Sequence, residues 1–123
     1  MDSQLENIIL SFFRLQLTVK MVHWTTTNYN IHKITDALHT NIQPIVDRFV
    51  ETYQGKYGHL PNVEKEVLLN FNLVKDTDLK NHLRTVQRDV INNIYSQLDR
   101  EMTAILDDML ELLETNEYLL SLH

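Results

Sequence analysis

Only two glycines and two prolines occur in 123 residues, and three of those four sit together at Gly55, Gly58 and Pro61. Sheets need turn residues every few positions, so a chain this poor in Gly and Pro is expected to form helices joined by few turns. One strong break then divides the chain, with long helical stretches on either side. The length suits a single domain over 1–123, large enough to bury roughly two-thirds of its unfolded surface without disulfide or metal staples.

Apolar spacing fills in the elements. Ser3-Gln4-Leu5-Glu6 reads as a capping box, and Leu5, Ile8, Ile9, Phe12, Phe13, Val19 and Val22 follow at helical spacing. Thr25-Thr26-Thr27-Asn28 ends this helix and caps the next. The second helix is predicted from Tyr29 to Gln54, with Ile31, Ile34, Leu38, Ile42, Ile45, Phe49 and Tyr53 as its apolar face and Gly55 as its stop. Pro44 removes the bond to the Thr40 carbonyl, so a kink is expected there. A short helix is predicted over 63–74, with a capping cluster at Asp76-Thr77-Asp78. From Leu79 onward the periodicity would allow one helix of over forty residues, too long to close a compact domain. A turn is therefore placed at Leu98–Met102, with Asp99 as N-cap. The expected fold is all-α: an antiparallel four-helix bundle with a short extra helix between helices two and three.

Composition removes several function classes. There is no cysteine, which excludes disulfides, thiolate zinc and cysteine catalysis. Net charge is −6 with no basic run, so nucleic acid is not an expected partner. The apolar runs are too short to cross a bilayer. The opening Met1-Asp2-Ser3-Gln4 lacks the features of a secretory signal, from which a cytoplasmic location is expected. No nucleophile–base arrangement or Gly-rich phosphate loop is visible.

The chemistry lies in the stretch from His23-Trp24 through His32, Asp36, Asp47 and Glu51. At 100° per residue, with His32 at zero, Asp36 falls at about 40°, Asp47 at about 60° and Glu51 at about 100°. They share one stripe, while the apolar face centres near about −100° by the same arithmetic. The stripe thus flanks the domain's own core, a position suited to a site completed by a second subunit. Imidazole with carboxylate oxygens is a ligand set for iron, manganese or zinc. Two acids at i, i+4 repel unless a cation lies between them. The plain alternative is a solvated acidic face, with His32 and Asp36 an ordinary i, i+4 pair. His39 falls near the stripe, and His59, His82 and His123 stand alone. The acidic run Asp107, Asp108, Glu111 and Glu114 reads more simply as a solvated helix face than as the wall of a metal-collecting cavity.

The pattern His23-Trp24 … His32-x3-Asp36 … Asp47-x3-Glu51 resembles the site signature of the miniferritins, the Dps-like branch of the ferritin-like superfamily. Its shortened connection, with Tyr29-x2-His32, is similar to compact ferritin-like proteins of phages and large viruses. The resemblance implies two irons at a two-fold interface, with His23, His32 and Asp36 of one chain facing Asp47 and Glu51 of another. It further implies oxidation of iron(II) by peroxide or dioxygen, and storage of the oxide in a homo-oligomeric shell, usually of twelve subunits. The stretch from His23 to His32 is three residues shorter than in typical miniferritins, and Pro44 divides the ligand stripe; both depart from the family. Those departures keep a second expectation open: a ferritin-like structural or interaction module without catalysis, such as a component of a viral particle.

Overall fold

The computed structural model describes residues 2–59 and 74–122, with side chains from Asn7 onward. Four helices and no strands occur among these residues: α1 (Asp2–Thr25), α2 (Tyr29–Tyr57), α3 and α4 (Arg100–Leu120). Helix α3 is a continuous run over 79–95, α-helical at Leu79–Thr85, π-helical at Val86–Ile91 and α-helical again at Asn92–Tyr95, and the short 3-10 turn Asp76–Asp78 leads into it. The helix predicted over 63–74 falls mainly on residues 60–73, outside the described residues. No helix among the described residues is long and apolar enough to cross a membrane.

Two corner contacts set the topology. Thr26 Oγ1 donates to Asp76 Oδ2 at 2.7 Å, which ties the start of α3 to the corner between α1 and α2. At the other end, the Tyr57 hydroxyl donates to Asp99, and Lys56 pairs with Asp99 and Glu101 at 3.4 and 3.0 Å. α2 therefore ends where α4 begins, and α2 and α3 run parallel. The end of α2 and the start of α3 thus lie at opposite ends of the bundle, roughly 40 Å apart, the length of 29 residues at 1.5 Å each. Around the bundle α1 neighbours α2 and α3, and α4 neighbours the same two. The core between them includes Phe12, Leu15, Phe49, Leu83, Met102 and Leu106, all fully buried, with the Phe12 and Phe49 rings edge-on at 5.8 Å.

Local chemistry accounts for the boundaries. Asn28 caps α2, its side chain accepting from the amides of Asn30 and Ile31 at 2.9 and 3.2 Å. Asp99 caps α4 in the same way, accepting from Met102 N at 2.9 Å, and the turn predicted at Leu98–Met102 lies over 96–99. α1 starts at Asp2, slightly ahead of the expected capping box. α2 runs three residues beyond the predicted Gln54: Gly55 is helical, and the helix ends at Gly58, whose φ of 105° is the conformation that favours glycine. The extra turn persists because Lys56 and Tyr57 are held by Asp99 and Glu101. Pro44 lies on the exposed side of α2 and does not interrupt it. In α3 the wide π turn places Val86 and Ile91, five residues apart, in the core, and leaves Val90 only partly buried. Phe13, expected on the core face of α1, is exposed, whereas Leu10 and Leu15 are buried.

Candidate functional site

His23 is in the last turn of α1 and His32 in the first turns of α2, with residues 26–28 as the whole connection between the helices. So short a link folds the two imidazoles against each other. Their centroids are 4.0 Å apart and their planes 16° from parallel. His23 Nδ1 lies 2.8 Å from the His32 carbonyl oxygen, and His32 Nδ1 lies 3.0 Å from that of His23. A carbonyl can only accept, so both Nδ1 atoms carry the proton. In each neutral ring the lone pair is then on Nε2. Metal-binding histidines are commonly oriented in this manner, one nitrogen donating to a carbonyl while the other coordinates.

Thr35 supports the clasp. Its hydroxyl is fully buried, donates to Ile31 O at 2.7 Å and to His32 O at 3.1 Å, and lies 3.3 Å from His23 Nδ1. The residue drew no attention from the sequence, because a β-branched side chain on the core side of a helix reads as packing. Its position three residues after His32, between the polar stripe and the core, was the available signal.

Asp36 follows His32 by one turn and is exposed, as are Asp47 and Glu51. Among the described residues neither Asp47 nor Glu51 has a hydrogen-bond or ion-pair partner. Eleven residues separate Asp36 from Asp47, about 16 Å along a helix. One chain therefore brings the two histidines together, with Asp36 close along the stripe, but leaves the Asp47/Glu51 pair remote. No group of three or more His, Asp or Glu placed to hold a metal ion occurs among the described residues of the single chain.

The remaining groups around the stripe are cationic or aromatic. His39 is held below its ordinary pKa, first by burial and then by the charges of Lys20 and His23, with Asp36 opposing. Lys20 Nζ lies 5.5 Å from the centroid of the exposed Trp24 ring, and Lys33 Nζ lies 5.6 Å from that of Tyr29. A separate cleft of about 480 Å³ opens at this end of the bundle, lined by Asn28, Ile31, Ile34, Asp76, Lys80 and Leu119 among others. It lies on the opposite flank of α2 from the acid stripe, and none of the five candidate ligands lines it.

The sequence profile of a family of unknown function, DUF5856, matches residues 23–120. The chain belongs to this family. The matched stretch begins at His23 and takes in His32, Asp36, Asp47 and Glu51. The chain is also similar to an uncharacterized 14.6 kDa protein in the mobD-ri intergenic region of Enterobacteria phage T4, at 28% identity over 102 residues, covering 81% of this chain and 74% of the relative. No solved structure matches.

Proposed function

We propose that the protein is a miniferritin-like iron-binding protein that oxidises iron(II) at sites shared between two copies of the chain. The observation that carries this reading is the His23–His32 clasp, which leaves the lone pair of each imidazole on Nε2, with His32 on the stripe that also carries Asp36, Asp47 and Glu51. A parallel α2/α3 pair joined by one long crossover is the connection pattern of ferritin-like bundles, and lends support from the fold.

Iron is the substrate here, with zinc or manganese as competing occupants of the same donors. The two imidazoles and Asp36 of one chain would take up iron(II) together with Asp47 and Glu51 of the other. Each of two iron(II) ions gives up one electron, and the pair reduces one hydrogen peroxide to the level of water. The carboxylates favour the iron(III) that forms, which hydrolyses to oxide with release of protons. The oxide is held in a homo-oligomeric shell, a dodecamer by the family resemblance.

The competing reading is a bundle that has kept the scaffold without the metal chemistry. The exposure of Asp36, Asp47 and Glu51, as on an ordinary solvated helix face, is the observation that favours it. Iron(II) oxidation under peroxide separates the two. The proposal expects a rate well above buffer for the native chain, falling by about a hundredfold in Asp47→Ala and Glu51→Ala. A native rate equal to that of buffer would leave only the scaffold.

A further inference from the structure

The bundle core is left open at one end, where the starts of α2 and α3 meet the end of α4. The cleft of about 480 Å³ there is within the size range of small-molecule sites. A second hollow of about 350 Å³ adjoins it and shares Asn30, Ile34, Leu119 and Leu122 with it. Their common floor is apolar. Ile31 and Leu120 pack against the core, Ile34 and Leu119 are only partly buried, and Leu122 is 54% exposed. The floor is thus a concave extension of the core toward solvent.

Two lysines border this floor, Lys80 in the cleft and Lys33 in the adjoining hollow. Lys80 follows Asp76 by one turn, yet among the described residues it pairs with neither Asp76 nor any other carboxylate. Asp76 accepts from the Thr26 hydroxyl instead. Lys33 has no carboxylate partner either and lies over the Tyr29 ring. Lys80 is partly buried, so its ammonium gives up hydration without gaining a counter-ion from the chain. An anion placed there supplies what the chain does not.

We propose that the cleft binds a free single-chain amphiphile with an anionic head, the head against Lys80 and the chain over Ile31, Ile34, Leu119 and Leu122. Charge selects the class. A cationic head would meet two lysines, and an uncharged chain would leave the Lys80 ammonium desolvated and unpaired. Shape selects a free molecule over a bilayer, because the apolar floor is recessed between three elements and Asp76 and Asp78 at the start of α3 would oppose an anionic membrane surface. None of the five candidate metal ligands lines the cleft, so the proposal stands apart from the iron reading.

Sodium decanoate, titrated into the native chain carrying ¹³C at its Ile and Leu methyl groups, tests this. Saturable shifts centred on Ile31, Ile34, Leu119, Leu120 and Leu122 are expected. Decyltrimethylammonium, with the same chain and the opposite charge, should bind at least about tenfold more weakly. Lys80→Gln should weaken decanoate binding about tenfold with unchanged helical circular dichroism. The proposal is overturned by the absence of saturable shifts, by equal affinity for the two head groups, or by an unchanged affinity in Lys80→Gln. Shifts centred instead on the exposed Phe13 and Leu17 of α1 would also overturn it. So would co-sedimentation with phosphatidylglycerol vesicles by a chain that binds no decanoate, which would assign the lysines to a membrane surface.

Discussion

Each of the two histidines has its proton placed by a main-chain carbonyl, and that arrangement belongs to the corner between α1 and α2 as much as to the imidazoles. Thr35 adds a second acceptor for the His23 Nδ1–H while donating into the first turn of α2. Thr35→Val keeps the shape and removes the hydroxyl, so the Nδ1–H form of His23 should lose population, visible in the ring ¹⁵N shifts of the metal-free protein. Zinc affinity should fall about tenfold. Thr35→Ser should restore the tautomer while still costing about 1 kcal/mol for the lost methyl. Equal ¹⁵N shifts in all three proteins would show that Thr35 only packs. At this scale the stripe His32, Asp36, Asp47 and Glu51 was legible, because helical spacing alone places residues on a face. The stacking of His23 on His32 was not, since it depends on how tightly residues 26–28 turn.

Among the elements, the caps were the most readable. Asn28 and Asp99 both occupy the positions that the sequence suggested, because an Asn or Asp before an apolar-periodic run has a local use for its side chain. The end of α2 was misread at Gly55 for a matching reason: glycine is a weak helix former, but tertiary contacts at Lys56 and Tyr57 carry the helix past it. The two glycines therefore predict opposite outcomes. A Cβ at Gly55 meets nothing within 4 Å, so Gly55→Ala should stabilise by about 0.5–1 kcal/mol. Gly58→Ala should destabilise, because its φ of 105° strains any side chain. Urea midpoints of the two variants moving in the same direction would contradict this account. The π turn in α3 had no sequence signal, since Val90 and Ile91 are equally apolar and only packing selects between them.

For the molecule as a whole, acid should act in two stages. Burial holds His82 below its ordinary value of 6.5 in the folded chain. Above that pH neither state is protonated there and the group contributes nothing. As pH falls through 6.5 the unfolded chain takes the proton first, so stability declines. Asp99 is held below its ordinary value of 3.8, chiefly by the Tyr57 hydroxyl and then by the Met102 amide and Lys56. Its contribution is present above 3.8 and is lost as pH falls below that value and through its lowered folded pKa. Melting temperatures from pH 8 to pH 3 should show both declines, and His82→Gln should flatten the first. An unchanged upper slope in that variant would remove His82 as its cause.

Local pattern alone was enough for the all-helical character of the described residues, for the main helix boundaries to within a turn, and for one stripe of potential ligands, because each of these depends on neighbours within a few residues. Tertiary structure decided the parallel run of α2 and α3, the pairing of His23 with His32, and the exposure of Phe13, Leu17 and Trp24. Those depend on which surfaces meet across the bundle, and helical periodicity says which side of a helix is apolar without saying what covers it.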